Sequence, residues 1–189
     1  MEKNKFNSKE YWEDRYSKGG NSGQGSYNQS ATIKANYINS VIDKYQIKTI
    51  NDLGHGDGNQ ISLLKGDFKY FGYDVSSTIR KRCTYKFEND RRYTFLDSLG
   101  KMQKADLAMS IDVIYHLTEW EVYEQYLKDL FSLGDYVLIY GMNMEINGLT
   151  HVVARPFDEL IQRVYESFSL IDIADGSHPD VKFYLYHRM

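Results

Sequence analysis

The sequence has one cysteine, Cys83, and only two prolines, Pro156 and Pro179, in 189 residues. A lone cysteine excludes an internal disulfide and a thiolate metal cluster. Scarce proline beside 17 tyrosines fits a folded chain with many half-buried rings, and selects no function. No run of about 18 apolar residues occurs, so no membrane-spanning helix and no membrane partner are expected. The start, Met1-Glu2-Lys3-Asn4-Lys5, carries no apolar signal core. A soluble, cytoplasmic protein is therefore expected. A basic surplus is also missing: 23 Lys and Arg stand against 26 Asp and Glu, a net charge of −3. Dedicated nucleic-acid binders show the opposite balance. Arg80-Lys81-Arg82 and Arg91-Arg92 are the local basic candidates, and their plain reading is solvated helix and turn charge. The length suits one domain, 1–189, around one core.

What is present centres on Ile50-Asn51-Asp52-Leu53-Gly54-His55-Gly56-Asp57-Gly58-Asn59-Gln60. The stretch reads as the end of a buried strand, a glycine turn and the start of a helix. Glycines take positive φ and let a ligand lie against bare backbone. A helix start adds unpaired N–H groups and partial positive charge. A dinucleotide site has G-x-G-x-x-G spacing. Here the spacing is G-x-G-x-G, with Asn59 where the third dinucleotide glycine would fall.

Upstream, residues 7–16 read as a short helix that Ser8 can cap, with Tyr11, Trp12, Arg15 and Tyr16 on one face. Gly19 to Tyr27 is glycine-rich. With no domain before it to link, it makes better sense as part of a lid (1–28) over a core (29–189). A long helix, Gln29 to Tyr45, carries Ile33, Tyr37, Ile38, Val41, Ile42 and Tyr45 as its apolar stripe. Strands follow at Lys48–Leu53, Phe68–Tyr73, Tyr93–Leu96, Ala105–Ile111 and Tyr136–Tyr140. Between them fall a helix with Ile61, Leu63 and Leu64, a helix from Ser76 to Phe87 with Cys83 inward, and a helix opened by a Thr118-x-x-Glu121 capping box. That last helix is expected to bury Trp120, Tyr123, Leu127, Leu130 and Phe131. Gly141 to Arg155 reads as a loop. Pro156 then opens a helix with Phe157, Leu160, Ile161, Val164 and Phe168 inward. The final pair, Leu170–Ile173 and Val181–Tyr186, is joined too tightly for a crossover and reads as an antiparallel hairpin.

Alternating strands and helices predict an α/β fold with a mainly parallel sheet covered on both faces. Ligands of such sheets bind beyond the carboxyl ends of the strands. The notable polar groups sort to that end: Asp52–Gly58, Asp74, Asp97, Asp112–His116 and Asn143–His151. Asp74 falls 20 residues after Gly54, where an acid can accept from both hydroxyls of a ribose. Its alternative is the cap of the Ser76-Ser77 helix. Asp97 can accept from an adenine amino group, or is an ordinary turn residue.

Asp52 with the glycine turn, Asp74, Asp97, Asp112 and the closing hairpin resembles the class I S-adenosylmethionine-dependent methyltransferases. Tyr11-Trp12-x-x-Arg15-Tyr16, Gly19-Gly20-Asn21-Ser22-Gly23 and Asp112-Val113-Ile114-Tyr115-His116-Leu117 are similar to a group of small bacterial members. The resemblance spans about Tyr11 to the end. It implies a Rossmann-like sheet of seven strands with the last antiparallel, and S-adenosylmethionine as cofactor. It implies Gly54, Gly56 and Gly58 beneath the methionine part, Asp74 on the ribose and Asp97 near the adenine. It also implies Tyr11, Trp12, Arg15 and Tyr16 covering the cofactor. His55 departs from the small residue or Cys of many members.

The chemistry then needs a nucleophile held in line with the S–CH3 bond and a base for its proton. His116 and His151 are candidate bases, since imidazole titrates near neutrality. Asp112 is another, as base or as the group orienting a histidine. No Pro-Pro-aromatic sequence or Pro-Cys pair follows the fourth strand, and no recognition helix or basic arm is evident. These absences favour a small molecule or sugar hydroxyl, hence O-methylation, over nucleic acid. The alternatives are an RNA or protein acceptor, or a non-catalytic S-adenosylmethionine-binding protein. No metal-ligand cluster is seen. Oligomeric state is left open.

Overall fold

The structure, a computed structural model, describes residues 6–149 and 151–189. The Met1–Lys5 start lies outside the described residues. Seven strands form one sheet: β1 (Thr49–Leu53), β2 (Lys69–Tyr73), β3 (Tyr93–Phe95), β4 (Ala105–Ile111), β5 (Gly134–Gly141), β8 (Phe168–Asp175) and β9 (Lys182–Arg188). Their order is β3-β2-β1-β4-β5-β9-β8. β9 runs antiparallel to both neighbours; the other pairings are parallel. The seven-stranded sheet and its closing antiparallel hairpin agree with the sequence reading.

Strand alternation builds two cores. Leu107, Met109, Leu138 and Tyr140 face α2 (Asn28–Lys44), whose Ile38, Val41 and Ile42 are buried against them, with Cys83 of α3 (Ser77–Lys86) in the same cluster. Ala108, Val137 and Ile139 face the other side. There they meet Tyr123, Leu127, Leu130 and Phe131 of α4 (Trp120–Ser132) and Ile161 of α5 (Asp158–Val164).

Several local expectations are corrected. The chain after the glycine turn forms only a 3-10 turn, Ile61–Leu63. Leu64 is already extended there, and Gly66 follows, so the segment is too short to propagate an α-helix. The helix start expected directly after the turn is therefore not formed. In α1 (Ser8–Ser17), Asn7 rather than Ser8 is the cap, accepting from the Glu10 N–H at 2.9 Å. Ser8 instead donates its N–H to Glu119 Oε1 at 2.8 Å. Glu119 becomes the N-cap of α4 without a side-chain cap bond, so the capping box does not form. Trp120 is 48% exposed at that helix start, while the Arg155 guanidinium lies 5.6 Å from its ring. Val164 faces outward, and Phe168 belongs to β8 rather than to α5. The expected loop after β5 holds a small hairpin, β6 (Ile146–Leu149) with β7 (Val152–Ala154).

Candidate active site

A cavity of about 360 Å³ opens beyond the carboxyl ends of the parallel strands. Small-molecule sites typically measure about 300–1,000 Å³. Its floor comes from the turns after β1, β2 and β4, and its roof from α1 and the loop that follows it.

The glycine turn is shaped for close approach. Gly54 has φ +96°, and a Cβ there would stand 2.6 Å from Val113 Cγ2. Gly56 has φ +58°, and a Cβ would collide with Ser22 Oγ of the roof. Gly58 does something else: its Cβ would lie 2.7 Å from Phe87 Cε2, so it seats the turn on α3 and does not line the cavity.

Acids surround this turn. Asp74 Oδ2 accepts from Gly56 N–H at 3.0 Å and Oδ1 from Ser76 N–H at 2.9 Å. Ser76, not Asp74, caps α3 through its hydroxyl. A carboxylate has about four lone-pair sites, so Asp74 keeps capacity for a diol. Asp52 is 2% exposed. Its Oδ2 accepts from Tyr70 Oη at 2.6 Å, while Oδ1 has no partner among the described residues. Burial pushes the Asp52 carboxyl up to about 7, against the opposing Tyr70 bond and with the Asp74 charge adding to it. His55 turns its ring into the β2–β3 side of the wall, 4.8 Å from the Phe95 ring, with Nδ1 at 2.8 Å from the Gly56 carbonyl. Burial holds its pKa below the usual histidine value.

The roof is latched. Asp57 Oδ2 accepts from Ser22 N–H (2.8 Å) and Tyr27 Oη (2.7 Å), and Ser22 Oγ in return accepts from Asp57 N–H (2.9 Å). Burial alone would raise the Asp57 carboxyl. The Ser22, Tyr27 and Asn59 bonds outweigh that and keep it below the usual range. Tyr16, 3% exposed, meets Ser22 Oγ at 3.1 Å. Arg15 donates to the Asn21 carbonyl at 2.7 Å and lies 5.6 Å from the Trp12 ring. Trp12 and Tyr16 therefore line the cavity; Tyr11 and Arg15 brace the roof from outside it.

After β4 the backbone of Asp112 takes φ +59°. Its carboxylate pairs with the ammonium of Lys34 and accepts from Tyr115 Oη at 2.6 Å. Asp112 thus does not orient His116, as the sequence reading had allowed. His116 Nδ1 stands 2.9 Å from the His151 carbonyl on the small hairpin. A carbonyl only accepts, so Nδ1 carries the proton and Nε2 keeps its lone pair. Burial holds the His116 pKa below its ordinary value. The His151 ring stacks between Tyr11 (5.1 Å) and His116 (5.8 Å) and does not line the cavity.

Asp97 lies elsewhere. Its side chain is 70% exposed and pairs with Lys101 at 2.8 Å. β3 is a three-residue edge strand, and the turn after it leaves Asp97 in solvent while Leu99 reaches the cavity. Sequence reasoning missed Lys34, which sits on the apolar face of α2 yet is 1% exposed. It also missed Tyr126, whose hydroxyl joins the Leu53 carbonyl (2.7 Å) to Ser110 Oγ (2.8 Å). A lysine inside the α2 stripe was the available signal.

No known protein-family profile matches the sequence, and neither does any curated protein. Solved structures do match. Magnesium protoporphyrin IX methyltransferase from Synechocystis PCC 6803 with bound SAM superposes with a TM-score of 0.73 at 16% identity, over 99% of this chain and 100% of that one. N-methyltransferase NodS from Bradyrhizobium japonicum WM9, in complex with S-adenosyl-L-homocysteine, gives 0.71 at 10% identity over 97% and 99%. The methyltransferase domain of bacterial CtHen1-C gives 0.65 at 22% identity over 82% and 97%. The strand order, the single antiparallel strand and these likenesses together give this chain the fold of the class I S-adenosylmethionine-dependent methyltransferases.

Proposed function

We propose that the protein is a methyltransferase that uses S-adenosylmethionine and acts on a small-molecule or sugar hydroxyl. The observation that carries the cofactor reading is the cavity at the bare Gly54–Gly56 turn, ringed by Asp52, Asp74 and Asp112. The residues fit the group. Asp52 offers an orphaned buried oxygen, Asp112 puts a carboxylate in the wall, and Asp74 keeps lone pairs for a ribose diol. Trp12 and Tyr16 supply aromatic cover in the roof. When bound, the cofactor supplies a methyl group already activated by its sulfonium.

The chain's own part is to position the acceptor and take its proton. His116 suits that task. Its Nδ1–H is held by the His151 carbonyl, and its Nε2 is an unprotonated acceptor at neutral pH. A neutral base beside the cavity favours a hydroxyl acceptor, whose proton must leave as the bond forms. The His151 ring stacks on the His116 ring and is itself backed by Tyr11.

The test is thermal unfolding with S-adenosylmethionine, S-adenosylhomocysteine and NAD in parallel. A ligand at about 100 times its Kd adds roughly 2.7 kcal/mol, a rise of several degrees in a domain of this size. A rise with the first two and none with NAD is expected. A rise with NAD alone would overturn the reading. Methyl transfer is then sought with sugars and small hydroxyl compounds. Transfer to RNA or protein with none to small hydroxyls would replace the acceptor assignment.

A further inference from the structure

An acceptor that gives its proton to His116 must rest against the neighbours of that ring. Trp12 is one of them. Its ring lies 5.0 Å from the His116 ring, edge to face, and both residues line the cavity. Val113 and Leu117 flank the 3-10 turn Ile114–His116 and line the cavity too. Trp12 is itself braced. Tyr16 stacks on it at 5.6 Å, Tyr11 meets it edge to face at 5.4 Å, and the Arg15 guanidinium lies 5.6 Å from its ring. The cavity beside His116 therefore offers a firm aromatic and aliphatic wall.

The hydroxyls of the lining already have partners. Ser8 Oγ donates to Glu119 Oε1 at 3.2 Å, and Tyr16 Oη pairs with Ser22 Oγ at 3.1 Å. Tyr126 Oη lies 2.7 Å from the Leu53 carbonyl and 2.8 Å from Ser110 Oγ. A sugar ring carries several hydroxyls, and each one buried without a partner costs about 1–3 kcal/mol. A planar ring with one hydroxyl asks for a single polar partner and gains from contact with an aromatic wall. The proton to be removed points the same way. A phenol titrates near 10, as tyrosine does, whereas an alkyl hydroxyl lies closer to the ~15.7 of water. Burial weakens His116 as a base, which suits the more acidic of the two hydroxyls.

We propose that the acceptor is a phenolic compound, whose aromatic ring packs against Trp12 and whose hydroxyl meets His116. The inference rests on the reading above, methyl transfer from S-adenosylmethionine to a hydroxyl, and narrows it from hydroxyl compounds and sugars to phenols. The phenolic oxygen bonds to the methyl carbon as the S–CH3 bond breaks. The bonding pair of that S–CH3 bond stays on sulfur, which leaves as the neutral thioether of S-adenosylhomocysteine. The phenolic proton passes to His116 and from there to solvent.

Isothermal titration of protein saturated with S-adenosylhomocysteine tests this without turnover. The probes are 2-naphthol, cyclohexanol as an apolar ring without aromaticity, and methyl α-glucoside. 2-Naphthol is expected to bind at least about tenfold tighter than either of the others. Trp12→Ala should lower its affinity by about fivefold to a hundredfold, the usual worth of stacking on an aromatic side chain, while Trp12→Phe keeps most of it. The same titrations give the 2-naphthol to cyclohexanol ratio, which a Trp12 that served only the cofactor or the packing of the roof would leave unchanged. With S-adenosylmethionine in place of the product, mass spectrometry should find the methyl ether of 2-naphthol and no methylated glucoside. A ratio near unity in the wild type overturns the phenolic assignment. So does a ratio unchanged in Trp12→Ala, or transfer to the glucoside and not to 2-naphthol; each of these leaves the cofactor reading standing. Failure of S-adenosylhomocysteine itself to bind is a different result, and overturns the cofactor reading with the acceptor assignment.

Discussion

At the scale of the residue, two histidines that look alike in sequence separate in the structure. His116 lines the cavity, with its Nδ1 on the His151 carbonyl, whereas His151 contributes that carbonyl and a stacked ring and does not line it. His116→Ala should lower kcat by about 10²- to 10⁴-fold with S-adenosylhomocysteine affinity unchanged. His151→Ala keeps the backbone carbonyl and should cost much less. Equal losses in the two variants would contradict this assignment. Because burial holds the His116 pKa below its usual value, activity should stay level from neutrality to below about pH 6.5, then fall as the ring protonates.

Asp52 titrates the other way. Its folded pKa, about 7, lies above the ordinary carboxylate value, so the native state holds a proton that the unfolded chain has released. That contribution is fully present below about pH 4 and is lost as the pH rises through 7. Asp52→Asn removes the titration and keeps an acceptor for Tyr70. The wild type should therefore lose stability against this variant between pH 5 and about 8, read by urea unfolding at each pH. A constant difference across that range would mean that Asp52 ionises freely.

At the scale of the element, one carboxylate latches the loop of the roof. Asp57 holds Ser22, Tyr27 and Asn59. Asp57→Ala removes all three bonds and should leave the sheet intact. Amide exchange in residues 20–27 should rise by about tenfold or more, with strands β1, β4 and β5 unchanged, and cofactor dissociation should quicken. Unchanged exchange in that loop would show that packing of α1, rather than the latch, keeps the roof down. The legibility of these elements varied for physical reasons. α2, α4 and β4 were readable because each has a strong periodic apolar pattern. The turn at Ile61–Leu63 was misread because a short apolar run carries no period. The β6–β7 hairpin was missed because its strands have four and three residues, too few to show alternation.

At the scale of the whole molecule, stability rests on the two cores flanking the sheet. Phe157 is 0% exposed and packs edge-on against Tyr184 of β9, 4.9 Å between centroids, which ties the start of α5 to the sheet. Phe157→Ala should cost about 3–5 kcal/mol and lower Tm by roughly 6–20 °C in a calorimetric scan. A fall of only a degree or two would mean that the site closes over the lost ring.

The sequence by itself determined the alternation of strands and helices, the glycine turn, the end of the sheet where polar groups gather and the closing hairpin. These follow from local periodicity and from the conformational freedom of glycine, which are properties of neighbours along the chain. Only the tertiary structure decided which polar groups meet. Lys34 and Asp112 are 78 residues apart, and Ser22 and Asp57 are 35 apart. Asp97 and Asp74 follow adjacent strands, yet one is in solvent and the other is buried on the turn. Pairing across such separations depends on how elements pack, and no local pattern encodes it.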